Sequence, residues 1–248
     1  MSNSESKATI KNPLKTRLPI VKTPAEVEAL SNLSDEEKAL ALENLKKVPL
    51  SDGWALLGSD PELQAFMHLI EQMGTAFLEG DFQGTPFSPM NLVTLEAVRR
   101  SGNDYMHGLF SALLAVGIKS HKMGIDYYMK LGVLDNPDSI LWTEEERLCL
   151  KFAAACLDNA MTDELFKQAR VAWGEQKLLR LFFWLSFVNT WGMLNNMMNI
   201  KLSPEMLAPL KMGMPAELVE AIIAPYQKTR ADMRALWDTV PHISIPGS

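Results

Sequence analysis

Six polar side chains that could take part in chemistry stand in a largely apolar helical segment that runs from Asn91 to Gly117. Desolvating an unpaired charge costs several kcal/mol, so such a cluster persists either as a closed ion-pair network or as the lining of a cavity in which chemistry takes place. Both interpretations are open from the sequence. The six residues are Glu96, Arg100, Asn103, Asp104, Tyr105 and His107.

His107 is the strongest candidate for proton transfer. We place it about four residues into a helix that begins near Asn103, where the partial positive charge of the helix start favours the neutral imidazole. A neutral imidazole can accept a proton near neutral pH, which suits a general base. The alternative is a core histidine hydrogen-bonded to Asp104, three residues earlier. Asp104 could equally be only a first-turn acid that favours the helix dipole.

Arg100 is the candidate for binding negative charge. Glu96 precedes it by four residues on one helix face, an arrangement that stabilises a helix by a few tenths of a kcal/mol. One interpretation is a surface or subunit-interface ion pair. The other is that the Arg100 guanidinium holds a substrate carboxylate or stabilises an enolate, with Asn103 and Tyr105 as further donors. We expect Arg99 to point away by one helical step.

A second group of candidates lies on the most apolar helix of the chain. Tryptophan and asparagine alternate there with aliphatic residues, a mixture that can line an apolar pocket with a few oriented donors. A stripe of large residues that belongs only to the core is the alternative. The candidates are Trp184, Asn189, Trp191 and Asn195.

The sequence offers no recognisable cofactor or metal motif. His68, His121 and His242 do not pair into a metal pattern, and there is no phosphate loop, dinucleotide fingerprint or nucleophile elbow. Cys149 and Cys156 stand seven apart on one helix face, roughly 10 Å between their Cα atoms, too far for a disulfide. We therefore expect no cofactor, no bound metal and reduced cysteines.

Composition limits the class of protein. The chain has 248 residues, 47% of them hydrophobic, and a formal net charge of −6. These values allow a substantial core and argue against a nucleic-acid surface. The N-terminus lacks the apolar region of a secretory signal, and no segment is typical of a membrane span. We expect a cytoplasmic protein without nucleic-acid or membrane partners.

Helix punctuation recurs along the chain and strand alternation is not found, which predicts an all-α fold. Capping signals predict helices from Ser34 to about Lys47 and from Asp60-Pro61 to about Leu78. The chain divides into a flexible N-terminal arm (residues 1–24), a helical domain (25–202) and a C-terminal helical extension with a tail (203–248).

We expect the segment from Asn91 to Gly117 to consist of two helices. Gly102 suits the end of one helix, and Asn103 or Asp104 suits the cap of the next. Further helices are predicted from Thr143 to about Leu157, from Thr162 or Asp163 toward position 173, over about 175–200, and over about 216–237.

Four segments in this order resemble the carboxymuconolactone decarboxylase-like family, which shares its fold with alkylhydroperoxidase D. They are SDPELQAFMHLIEQM, NLVTLEAVRRSGNDYMHGLFSALLAVG, WTEEERLCLKFAAACL and KLLRLFFWLSFVNTWGMLNNMMNI, and the similarity covers roughly Leu33 to Ile200. The resemblance implies an alkylhydroperoxidase D-like helical bundle, a homo-oligomer (dimer, trimer or hexamer) and a pocket near the helix break.

The chain departs from that family at its reactive positions. Peroxidase members carry Cys-x-x-Cys where this chain has Asn103 and Met106, and the glutamate of many members aligns with Asn91. The histidine that follows the cysteine pair aligns near Leu109 or Phe110. The resemblance thus carries over a fold and a pocket, but no thiol mechanism.

Three functions follow from these observations. The leading hypothesis is a cofactor-independent lyase or isomerase that acts on a small apolar metabolite with a carbonyl, lactone or carboxylate. His107 would move the proton, oriented by Asp104, and Arg100 with its neighbours would stabilise the substrate oxygen. The alternative is a non-catalytic ligand-binding or scaffold protein. An oxidoreductase without redox thiols is the least favoured hypothesis.

Overall fold

The computed structural model describes residues 16–47, 51–78 and 86–200, together with residue 232 and the stretches 235–236 and 238–240. These residues form helices and turns, with no strand among them, which confirms the predicted all-α class for this part of the chain. The helices are α1 (Pro24–Glu28), α2 (Asp35–Lys47), α3 (Asp52–Leu56), α4 (Pro61–Phe77), α5 (Pro89–Arg100), α6 (Asp104–Ser120), α7 (Ile125–Leu131), α8 (Glu144–Leu157) and α9 (Asp163–Met197), with a 3-10 turn at Leu57–Ser59.

Helix starts that carry capping residues lie where the sequence predicted them. The Thr143 hydroxyl accepts from the Glu146 N–H at 3.2 Å, and the Glu146 carboxylate accepts from the Thr143 N–H at 2.8 Å. Ser34 and Glu37 form the same reciprocal pair before α2. Each pair satisfies backbone donors that a helix start leaves free.

Three short helices were not predicted. Each of α1, α3 and α7 has only five to seven residues. Fewer than two turns give too few positions for a helical period to appear in a sequence.

Helix α5 lies at the centre of the fold and packs against α6, α8 and α9. Its residues are buried without interruption from Leu92 to Val98, nearly two turns, and so cover every side of the helix. A helix that is buried all round must be surrounded by other elements. Each fully buried leucine or valine contributes about 1.5–3 kcal/mol relative to an exposed one.

Helix α9 is interrupted at Gly174, which has φ 72° and ψ 163°. This conformation suits glycine and is not helical. The predicted boundary between a helix ending near Trp173 and one starting at Glu175 is therefore confirmed. The second part presents its buried side chains at helical spacing toward α4, α5 and α6, and these are Leu178, Leu181, Trp184, Leu185, Val188, Trp191 and Asn195.

Residues 16–23, which belong to the predicted N-terminal arm (1–24), lie against the helical domain. The Val21 N–H donates to the Ala55 carbonyl at 2.9 Å, and the Val21 side chain forms a small second core with Val27 and Ala41. The rest of that arm, and the predicted C-terminal extension apart from the few positions named above, lie outside the described residues. None of the described helices is long and apolar enough to cross a bilayer.

Candidate functional site

The predicted break between the two helices is present and sharply defined. Helix α5 ends at Arg100, Gly102 has φ +63°, and Asn103 is the N-cap of α6. The Asn103 side-chain oxygen accepts from the Met106 N–H at 2.7 Å. A positive φ favours glycine, and the cap satisfies a free donor of α6, so the local sequence specifies this turn.

The C-terminal end of α9 fixes the break in place. The Asn103 amide donates to the Asn196 side-chain oxygen at 2.8 Å, and the Asn196 amide donates to the Ser101 carbonyl at 2.6 Å. Gly192 allows the close approach, because a Cβ there would lie 3.0 Å from the Ser101 side chain. Both polar groups of Asn103 are thus engaged in holding the fold.

Tyr105 is buried on the α3 side of the break. Its oxygen accepts from the Gly53 N–H at 3.2 Å and hydrogen-bonds the Ser51 side chain. Burial raises the pKa of Tyr105, against the lowering effect of these hydrogen bonds. A neutral phenol tied to α3 positions two helices and is poorly placed to serve a substrate.

Asn195 lies beside Tyr105 and leaves one polar atom unpaired. Its amide donates to the Trp191 carbonyl at 2.7 Å, while its buried side-chain oxygen has no hydrogen-bond partner. That oxygen lies 3.0 Å from the point that a Cβ on Gly53 would occupy. An unpaired buried acceptor costs about 1–3 kcal/mol, so this position is either strained or open to a donor from outside the protein.

His107 carries the other unpaired atom of the break region. Its ring is half-buried, and Nε2 is shielded from solvent without a hydrogen-bond partner. Asp104 is exposed in the first turn of α6, and no hydrogen bond joins it to His107. The structure therefore gives Asp104 the helix-dipole role rather than that of an orienting partner, which corrects the expectation that the two act as a pair.

Glu96 forms a closed ion-pair network in which Arg99 and Arg100 both take part. Two Arg99 nitrogens donate to its carboxylate at 2.8 Å each, and Arg100 donates through Nε. Arg100 also donates to Asp158 at the end of α8, at 2.5 Å. The hydrogen bond that Arg100 donates to Glu96 raises the pKa of Arg100, and Asp158 adds a smaller effect in the same direction.

Two expectations about this network are corrected. Arg99 does not point away, because position i+3 on a helix lies as near Glu96 as position i+4 does. Arg100 is not buried in the apolar segment but reaches the surface, where Asp158 binds its free end. Its guanidinium is already shared between two carboxylates, which favours the ion-pair interpretation over binding of a substrate.

Trp184 and Trp191, in the second part of α9, belong to an aromatic row. The ring centroids of Trp191 and Trp54 of α3 lie 4.6 Å apart, and Trp191 stacks on Phe187. The ring centroids of Phe187 and Trp184 lie 5.6 Å apart. The Trp184 N–H donates to the buried Thr94 hydroxyl at 2.8 Å. Its polar atom is satisfied, so Trp184 belongs to the core. Asn189 is half-buried on α9.

Sequence reasoning assigned no role to His68, which lies at the other end of this row. Its ring packs edge-on against Trp54 with 5.3 Å between centroids, and Nε2 pairs with the Gln72 amide at 2.9 Å. Nδ1 lies 3.4 Å from the Glu71 carboxylate and makes no hydrogen bond of good geometry. The spacing His68, Glu71, Gln72 on one helix was the signal that could have identified it.

Lys130 is a second feature that the sequence did not reveal. It is 5% exposed, pairs with both Glu146 oxygens at 2.7 Å, and lies over three aromatic rings. The distances from its nitrogen are 5.2 Å to Phe87, 4.7 Å to Tyr127 and 5.6 Å to Trp142. Cation–π contacts and a carboxylate together compensate the desolvation of the ammonium, so Lys130 joins α7 to α8 as a structural charge.

No group of three or more histidine, cysteine or acidic side chains in the described residues is arranged to hold a metal ion. Cys149 and Cys156 are not joined in a disulfide. Burial raises the pKa of Cys156 to about 11, which leaves very little thiolate at neutral pH.

The structure thus separates the predicted site residues into groups. Asn103, Tyr105 and Asn195 meet around the helix break, whereas Glu96 and Arg100 form their own network with α8. Unpaired polar atoms remain at His107 and Asn195. In comparisons with known proteins, no family model and no curated protein sequence matches the chain. The part of the chain that the structure describes is all-helical.

Proposed function

We propose that the protein is a cofactor-independent lyase or isomerase in which His107 is the general base. The observation that carries this proposal is the buried Nε2 of His107, which has no partner within the protein. A desolvated ring nitrogen without a protein partner can accept a proton from a ligand, whereas Asn103 and Tyr105 are already bonded within the protein.

The reaction is a proton transfer. Nε2 removes a proton from a carbon next to a substrate carbonyl, which leaves an enolate and an imidazolium. Return of that proton to another carbon gives an isomer. For a β-keto acid, loss of CO₂ places the bonding electrons on the carbonyl oxygen, and a protonated His107 then protonates the carbon. The largely apolar residues of α6, on which His107 lies, favour a small apolar metabolite with a carbonyl, lactone or carboxylate.

The order of helices and the break before His107 support a distant relationship to the carboxymuconolactone decarboxylase-like family. Under this proposal the chain keeps that family's helix break and has replaced its thiol chemistry by histidine chemistry. The capped turn at Gly102 and Asn103 gives the base a fixed position, which general acid–base catalysis requires.

The alternative function is a non-catalytic ligand-binding or scaffold protein. The observation that favours it is the closed network of Glu96, Arg99, Arg100 and Asp158. These charges satisfy one another and leave no free cation to bind a substrate carboxylate at that position.

The test compares the parent chain with His107→Gln and with His121→Gln, an exposed histidine at the end of α6 that serves as control. Each protein is melted with a panel of small aromatic, polyketide-like and terpenoid acids and lactones. Any stabilising compound is then incubated in D₂O with the protein, and loss of its α-proton signal is followed by NMR.

We expect His107→Gln to keep the parent melting temperature, to lose the stabilisation by ligand, and to slow exchange by about 10²–10⁴-fold. The control should behave as the parent does. The proposal fails if His107→Gln melts well below the parent and no compound stabilises either protein, because the ring would then be a structural element.

A further inference from the structure

The second part of α9 carries a long apolar surface that faces away from the core. We call it the α9 face. Its large residues are exposed by 42–69%. The α9 face consists of Leu179, Phe182, Phe183, Ser186, Thr190, Met193 and Met197.

The spacing of the α9 face is that of a helix that packs against another helix. Leaving out Phe182, which flanks the row, positions 179, 183, 186, 190, 193 and 197 alternate steps of four and three residues. This alternation is the heptad period of a two-helix seam. The core-facing residues of α9 occupy other positions, so the helix has one seam for its own core and a second seam toward solvent.

Charge and hydrogen bonding also fit burial of this surface. Residues 181–200 contain no aspartate, glutamate, lysine or arginine, although solvent-facing helix surfaces usually carry them. The two hydroxyls at its centre are satisfied within the helix. Ser186 donates to the Phe182 carbonyl at 2.9 Å, and Thr190 donates to the Ser186 carbonyl at 3.0 Å. Covering them with an apolar partner therefore leaves no donor unpaired.

The order of residue sizes identifies the partner. About a midpoint at position 188, Leu179 corresponds to Met197, Phe183 to Met193, and Ser186 to Thr190. Large apolar residues thus lie toward both ends and small residues lie at the middle. A two-fold interface requires a patch that is complementary to itself, and this sequence of residues meets that requirement when two copies run antiparallel.

We propose that the protein forms a two-fold symmetric dimer in which the α9 faces of two copies pack antiparallel and cross near Ser186 and Thr190. The five large apolar residues expose on the order of 500 Å² per copy, so that two copies bury about 1,000 Å² or more, the lower size of a specific interface. This inference rests on α9 and is independent of the proposed activity.

Sedimentation of the full chain at micromolar concentrations tests the dimer. We expect the parent to dimerise, and Leu179→Lys and Met193→Lys each to raise the dissociation constant at least about 30-fold, as loss of an interface anchor does. The control is Val171→Lys, which alters a 79% exposed residue of the same helix before Gly174 and should leave the dimer unchanged. A parent that stays monomeric, or a dimer that both α9 variants leave intact, overturns the proposal. A monomer would mean that the face is free or is covered by another segment or protein.

Cysteine cross-linking tests the direction of packing. In an antiparallel pair, Leu179→Cys combined with Met197→Cys should form intersubunit disulfides under mild oxidation. Leu179→Cys alone should not, because its two copies would lie roughly 27 Å apart along the helices. The parent chain, with Cys149 and Cys156, gives the background. Efficient cross-linking of the single variant would indicate parallel helices and would overturn the antiparallel geometry.

Discussion

Replacing Glu96 by glutamine should destabilise the fold by about 2–3 kcal/mol. The Glu96 side chain is 3% exposed and accepts three hydrogen bonds from two guanidinium groups. Loss of one partner of a fully buried ion pair costs about 3–5 kcal/mol. The value here is lower because the Arg99 and Arg100 side chains are 28% and 31% exposed and can be rehydrated.

Thermal unfolding followed by circular dichroism measures this effect. In a chain of this length, 1 kcal/mol shifts the melting temperature by about 2–4 °C, so Glu96→Gln should melt about 5–10 °C below the parent. The matched control is Asp158→Asn, which removes the 53% exposed partner of Arg100. An exposed pair contributes about 0–1 kcal/mol, and the control should therefore melt within about 3 °C of the parent.

The result that would refute this reasoning is a Glu96→Gln protein that melts with the parent. The carboxylate would then contribute nothing to the fold, and the ion-pair interpretation of Arg100 would be wrong. If the same variant were no longer stabilised by a ligand, the network would belong to a binding site. This is the hypothesis in which Arg100 holds a substrate carboxylate.

Three further predictions concern packing, a buried charge and a thiol. Gly74→Ala should cost about 1–3 kcal/mol, because its Cβ would lie 2.7 Å from the Trp184 ring, a clash that outweighs the better helix propensity of alanine. Lys130→Met should cost about 2–4 kcal/mol, because it leaves the Glu146 carboxylate without its cation. Cys156 should react with iodoacetamide at pH 8 about 100-fold more slowly than a free cysteine, because its pKa is about 11 rather than 9.0. In the unfolded chain the pKa of Cys156 returns to about 9.0, so the unfolded state loses this proton at a lower pH than the folded state does. The free energy of unfolding should therefore fall as pH rises from about 9 to about 11, and Cys156→Ala should reduce that fall.

Each of these predictions has a control within the chain. Gly132→Ala places a Cβ no closer than 3.4 Å to its neighbour and should change stability by less than about 0.5 kcal/mol. Lys151→Met removes a 43% exposed partner of Asp138 and should be equally mild. Equal melting temperatures for Lys130→Met and Lys151→Met, or alkylation of Cys156 as fast as that of the unfolded chain, would contradict the burial described above.

Most of the local structure could be predicted, because its determinants are close in sequence. The capping residues Ser34, Asp60 and Thr143 each satisfy donors within three residues, so the pattern itself contains the interaction. Gly102 and Gly174 are local in the same sense, since their positive φ values end a helix at the glycine. Helix boundaries of this kind require no knowledge of the tertiary fold.

The partners of the polar side chains could not be predicted, because they come from distant positions. Asn103 bonds Asn196 across 93 residues, and Arg100 bonds Asp158 across 58. The sequence showed that these groups were polar in apolar surroundings, but only packing of α5 against α8 and α9 decides whether each meets a protein partner. For the same reason, the sequence did not reveal the role of Lys130, because two of the three rings around it, Phe87 and Trp142, come from other parts of the chain.

Hydrogen-bonding capacity distinguishes the roles of the residues around the helix break. A polar group that already caps a helix, bonds a neighbouring helix or neutralises a carboxylate is not available to a substrate. This applies to Asn103, Tyr105 and Arg100. Substitutions at these three positions should therefore act first on stability. His107 has an unpaired buried nitrogen, and its removal releases a desolvation cost instead of breaking a bond. If the helix break serves to hold one reactive ring, a His107 variant should keep the melting temperature of the parent. Variants of Asn103 and Arg100 should then melt at lower temperatures than the parent.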